Sequence, residues 1–350
     1  MRLICAVAVT LCAAAACTIP SRLGSLPARL SDGEFWELSA VLSEPHGAFP
    51  QSDNLVSNES QFAETVRRLR PTNGVYIGVG PEQNFSYVAR LRPAMAFIVD
   101  IRRENRNLHL MYKALFELST DRSEFVSRLF SRRRASDFGR RRSVGDLFTA
   151  YAAVPPSASL RDETARQVRE LLVGAHRFPL SADDVAWLED ALDAFRADGP
   201  EIHYRGGERT GVWPSYRSLM TQTDLSGRAR SYLASEESFA FVKELQARNL
   251  IVPVVGDFAG PSAIRSTGEY MRRHGGGISA FYGSNVEVYL SHDQLRAFCG
   301  NLATLPYDAD TWFLGSRTLE PLTVKLTKCG SVPPSLHWPA GVARQGPTSP

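Results

Sequence analysis

The chain is 350 residues long, 43% of them apolar and 22% charged, with a formal net charge of +3. This composition excludes a disordered or fibrous polymer and allows one large core or two modest ones. The basic residues are nearly all Arg and are nearly balanced by acids, so nucleic-acid binding gains no support.

The N-terminus carries a separate message. Met1-Arg2 is a short positive start, Leu3 to Ala16 is an apolar run too short to span a bilayer comfortably, and Ala14-Ala15-Ala16 supplies the small residues a signal peptidase requires. Residues 1–17 therefore read as an export signal. Cys17 after three alanines also resembles a bacterial lipobox, with Ala14 where leucine is usual. That resemblance implies a lipid anchor at Cys17 and a place in the cell envelope. Plain secretion is a second reading, and a cytoplasmic chain with a misplaced start or an uncleaved tail is a third. Residues 18–30, rich in Pro, Ser and Arg, read as a tether, 31–330 as a domain, and 331–350, with repeated Pro and Gly, as a flexible tail.

Within the domain, short apolar runs bounded by turn residues predict strands over Val75–Val79, Ala96–Ile101, Ile251–Val255, Ile278–Tyr282 and Thr311–Leu314. Helical spacing follows the first four of them, over Phe85–Leu91, Leu108–Leu118, Ser262–Arg273 and His292–Leu302. Strands alternating with helices predict an α/β fold: a Rossmann-like, doubly wound, mostly parallel sheet covered on both faces. The interval from about 120 to 248 breaks the rhythm. Its helical patterns at Arg161–Val173, Ser181–Phe195 and Glu236–Arg248 read as a large helical insertion between the second and third strands, and Ser181 followed by Asp183 and Asp184 supplies an N-cap. The Arg run 132–134 and 140–142 reads as a solvated face, with a phosphate or acidic-ligand contact as the minority reading. The Asp137-Phe138-Gly139 between its halves matches a kinase motif without the accompanying loops.

The stretch from Gly74 to Asn105 is the most informative. Glycines at 78 and 80 allow a tight strand-to-helix turn, let a ligand approach the backbone and aim helix N-terminal amides at it. Asp100 ends the next strand, where a doubly wound fold places an acid to accept from ribose hydroxyls. The other reading is a tight turn and a surface acid.

This segment resembles the first motif of class I S-adenosylmethionine-dependent methyltransferases, and Val254-Val255-Gly256-Asp257-Phe258 is similar to their later Gly-Asp turn. The resemblance implies a class I methyltransferase-like fold with S-adenosylmethionine as cofactor. It also implies that Gly78 and Gly80 pack against the methionine part, Asp100 binds ribose, and Asp257 contacts adenine with Phe258 beside it. Where that family often has an acid and a third glycine, this chain has Tyr76 and Glu82. Asn285 and Glu287 stand after the fourth strand, where members position the methyl acceptor. They are the candidates to orient or deprotonate a substrate, with loop capping as the alternative. The whole chain also resembles a set of uncharacterised bacterial proteins with a methyltransferase-like fold, through the blocks Ser52 to Glu59 and Phe281 to Glu287. Asp53, Asn54 and Asn58 in the first block are candidates to close the pocket, or serve as turn residues.

Other chemistry is less well supported. There is no Gly-x-Ser-x-Gly elbow, no Walker loop and no metal-ligand spacing, so no metal is predicted. Cys299 and Cys329 pair if the chain is exported, or remain two separate buried thiols. Two functional readings stand: a methyltransferase of unknown acceptor, and a non-catalytic, envelope-anchored lipoprotein binding a nucleotide-like or small polar ligand.

Overall fold

The β-branched and aromatic runs form strands β1 (Val75–Gly78), β2 (Met95–Asp100), β3 (Ile251–Val255), β4 (Ile278–Ser284) and β5 (Trp312–Gly315), followed by a short β6 (Leu319–Pro321). In the computed structural model, which describes residues 25–49, 54–134, 142–204 and 213–330, they make one sheet in the order β3-β2-β1-β4-β5-β6. The first five run parallel and β6 is antiparallel to β5. The predicted export signal, Cys17, Asp53, the Asp137-Phe138-Gly139 tripeptide and the 331–350 tail lie outside the described residues.

β1, β2 and β3 are buried along their whole lengths, which is why they read as continuous apolar runs rather than alternating ones. Pro253 is tolerated in β3 because that strand is the sheet edge, where a missing backbone donor leaves no central ladder bond unmade. The architecture is α/β with a mostly parallel sheet, compatible with a Rossmann-like fold.

The helices are α1 (Asp32–Leu42), α2 (Phe62–Arg68), α3 (Gln83–Leu91), α4 (Arg103–Leu118), α5 (Arg122–Leu129), α6 (Val144–Ala152), α7 (Ala158–Arg169), α8 (Ala182–Asp198), α9 (Tyr216–Thr221), α10 (Glu236–Ala247), α11 (Ala263–Arg273), α12 (His292–Ala303) and α13 (Leu322–Lys328). One group, α3, α4 and α10, packs together against the sheet; a second runs from α1 through α11 and α12 to α13. The helices between β2 and β3 share the sheet's hydrophobic core, which runs from Leu30 to Leu326. Ser181 caps α8 as its sequence predicts, with its hydroxyl 3.1 Å from the Asp184 amide. Asp184 in turn accepts from Arg103, Arg106 and Asn107, fastening α8 to α4.

Cys299 in α12 and Cys329 after α13 form a disulfide across 30 residues. Among the described residues no helix is long and apolar enough to cross a membrane.

Candidate functional site

Strand order reverses between β1 and β4: the chain leaves β1 toward β2 and β3, then crosses back to β4. In open α/β sheets this switch point opens a crevice at the carboxyl ends of the strands. Here a cavity of about 290 Å³ lies at those ends, lined by the turns after β1 (Val79–Pro81), β2 (Asp100–Arg102), β3 (Gly256–Phe258) and β4 (Ser284–Val286). Phe49, Asn54, Ser57 and Asn58 from the N-terminal segment line it as well, and Tyr204 and Tyr289 add aromatic walls.

The two glycines of the first turn have different roles. Gly80 lines the cavity with φ +78°, and a Cβ there would meet nothing within 4 Å; it supplies the left-handed backbone and leaves open space. Gly78 lies beneath the cavity, where a Cβ would come within 2.0 Å of Asn84 Oδ1 and 2.5 Å of the Tyr76 hydroxyl. It is glycine so that Asn84 can sit there. The Asn84 amide donates to the carbonyls of Val79, Gly80 and Pro81, and its Oδ1 accepts from Tyr76.

His109, from α4, holds the same turn, with Nε2 2.9 Å from the Gly80 carbonyl. A carbonyl only accepts, so Nε2 carries the proton. Burial lowers the His109 pKa to about 4, which keeps the ring neutral.

Asp100 reaches the cavity but does not face it as a free carboxylate. Arg102 binds it through Nε and Nη2, at 3.0 Å each, and through its backbone amide at 2.9 Å. Both side chains are almost fully buried, and Arg102 Nη1 also reaches the Asn54 carbonyl at 3.4 Å. After β3, Gly256 packs so closely on Ala263 that a Cβ would fall 2.3 Å from that residue's own. Asp257 Oδ1 accepts from the Ala259 amide. Glu44 accepts from the amides of Asp257, Ser262 and Ala263, capping the start of α11 and fixing this turn. Phe258 directs its ring into the core against Phe281 and Phe298, with centroids 5.0 and 5.5 Å away.

Of the residues after β4, Asn285 lines the cavity, whereas Glu287 is salt-bridged to Lys325 and stands outside the lining. The structure thus brings together Gly80, Asp100, Asp257, Phe258, Asn54, Asn58 and Asn285, and leaves Gly78 and Glu287 in supporting positions.

A buried polar layer lies beneath the cavity, formed by residues to which no local motif assigns a role. Glu82 is fully buried at the start of α3 and accepts from the Ser57 amide at 3.1 Å; burial raises its pKa to about 7, with those hydrogen bonds opposing. Glu59 is also buried, accepts from Gln83 Nε2 at 3.3 Å and from the Ser284 hydroxyl, and is shifted upward by burial. Ser284 has φ +48°, uncommon for a residue with a side chain, and sits where the β4–β5 register shifts.

Residues 54–139 and 163–333 match the family described as Domain of unknown function (DUF7790). The chain belongs to that family. The matched DUF7790 stretches contain every cavity-lining residue from Asn54 to Gln294 and leave out Ala48 and Phe49. No curated protein matches the chain.

Proposed function

We propose that this DUF7790 chain binds a small, polar, nucleoside-like molecule at the switch-point cavity of a class I methyltransferase-like core, with the helices of about 120–248 as an insertion. The observation that carries this reading is that Gly80, Asp257, Asn54 and Asn285, from four separate segments, line one cavity where strand order reverses. S-adenosylmethionine is the first candidate, and two features fit it. Gly80 leaves a side-chain-free approach, and Asn54 Oδ1 on the cavity wall is buried without a hydrogen-bond partner among the described residues, an acceptor suited to a ribose hydroxyl.

When bound, S-adenosylmethionine would supply an activated methyl group. The chain's part is orientation: Asp257 offers a carboxylate oxygen to an exocyclic ring amine, Asn54 accepts from the sugar, and Asn285 faces the acceptor. Arg102 keeps Asp100 in place and shares that carboxylate with any ribose hydroxyl that reaches it. In differential scanning fluorimetry, S-adenosylmethionine, its demethylated product or adenosine should raise the melting temperature, and Asp257→Ala should lose most of that rise. No shift with any of the three at millimolar concentration counts against the reading.

The Cys299–Cys329 disulfide favours a second reading, since such bonds persist in oxidising compartments. In that case the chain is an exported, lipid-anchored binding protein, and its ligand is another small polar molecule. Globomycin treatment followed by mass analysis distinguishes the two: accumulation of an unprocessed precursor supports acylation at Cys17, and an unchanged chain beginning at Met1 opposes it.

A further inference from the structure

Ser284 combines three features. It ends β4 at the switch point and lines the cavity. Its φ of +48°, at a register shift in the sheet, turns the strand sharply, and such strained non-glycine residues cluster at active sites. Its hydroxyl donates to Glu59, a carboxylate held by Gln83 Nε2 and Tyr282 with no cation among its hydrogen-bond partners in the described residues.

We propose that Ser284 is a nucleophile and Glu59 its base, so that the cavity carries out acyl transfer from a small ester. The logic is that of any nucleophile and base dyad: a hydroxyl at its ordinary pKa is unreactive until a neighbouring group takes its proton. Ser284 Oγ bonds to the ester's carbonyl carbon as its proton passes to Glu59. The alcohol leaves with that proton, giving an acyl-serine. Water then adds to the acyl carbon and gives a proton to Glu59, which returns it to Ser284 Oγ as the carboxylic acid departs. Asn285 Oδ1, 3.4 Å from Ser284 Oγ, is a longer, second acceptor for the same hydroxyl, whose closer partner is Glu59.

The upward shift that burial imposes on Glu59 suits a base working nearer neutral pH. The titratable groups around it are Tyr76, Tyr87 and Tyr282, kept neutral by burial, and Glu82 beside Gln83. None of these is cationic, and the hydrogen bonds from Ser284, Tyr282 and Gln83 oppose the effect of burial without reversing it.

This inference goes beyond the nucleoside reading and does not depend on it. The test is covalent labelling of the intact, disulfide-bonded protein with an alkyl fluorophosphonate, read by intact mass and peptide mapping. In that reaction Ser284 Oγ bonds to phosphorus, fluoride leaves and Glu59 takes the proton. One adduct at Ser284 is expected, absent in Ser284→Ala, slowed about a hundredfold in Glu59→Gln and partly restored in Glu59→Asp. The wild-type labelling rate should rise with pH as Glu59 ionises. Should Glu59→Gln not fold, that pH profile decides. No adduct at Ser284 under conditions that label a control serine hydrolase, an equal rate in folded Glu59→Gln, or a rate independent of pH overturns the proposal. Fluorophosphonate failure with nucleoside binding intact removes only the nucleophile.

Discussion

Arg102 clasps Asp100 two residues earlier in the chain, with Nε on one carboxylate oxygen and Nη2 on the other, both at 3.0 Å. The acid that ends β2 is therefore neutralised by its own loop, and the wall it forms is a rigid ion pair rather than a bare carboxylate. Removing one member of a buried pair leaves the other charge uncompensated. Arg102→Met should cost about 3–5 kcal/mol in urea unfolding, and adding Asp100→Asn should recover part of that loss. Additive losses would mean that the two groups are not coupled.

The glycines of the first turn should respond differently to alanine. Gly80→Ala meets no atom within 4 Å, so its cost is the left-handed backbone alone, about 1–2 kcal/mol. Gly78→Ala collides with Asn84 and Tyr76 and disturbs the hydrogen bonds that shape the turn, and should cost about 3 kcal/mol or more. Equal losses in denaturant titrations would contradict this division.

Glu82 makes stability depend on pH in a definite direction. Its folded pKa is raised from 4.5 to about 7 by burial, so the folded state keeps a proton that the unfolded chain has already released. The stability of the neutral acid is fully present below about pH 4.5, falls as pH rises toward 7, and is constant above that. Relative to wild type, Glu82→Gln should gain up to about 3 kcal/mol between pH 4.5 and 7.5. A difference between the two proteins that does not change with pH would show that Glu82 ionises normally in the fold.

The disulfide closes a 30-residue loop between α12 and the end of α13. Cys329→Ser should lower stability by about 3 kcal/mol, and alkylation of the wild type under non-reducing conditions should leave Cys299 and Cys329 unmodified. Labelling of Cys299 and Cys329 without reductant would show that the bond is absent, and with it would go the main structural support for export.

The parallel strands were readable because they are buried on both faces: Val75 to Gly78 and Ile251 to Val255 are apolar without interruption. β6 was not, being three half-buried residues that pair only because β5 lies beside them. In the long interval, α7, α8 and α10 showed helical spacing, whereas the shorter α5, α6 and α9 were not predicted. At the site, Gly80 is legible because a strand-to-helix turn leaves a local mark, whereas Asp257 is reached only through the resemblance of its Gly-Asp turn to that of the methyltransferases. The contact of Ser284 with Glu59 spans 225 residues, and no local pattern announces such a meeting. The burial of Arg102 has no local mark either, because an arginine two residues after a strand-ending acid is ordinarily a surface residue.

The most direct test of the central claim is calorimetric titration of the purified protein with S-adenosylmethionine, its demethylated product and adenosine, in wild type and Asp257→Ala. One-site, saturable heat with micromolar affinity, about −8 kcal/mol, is expected for at least one of them and should weaken at least tenfold in Asp257→Ala. Absence of saturable heat for all three at millimolar concentration, or binding that Asp257→Ala leaves unchanged, would contradict a nucleoside site in this cavity.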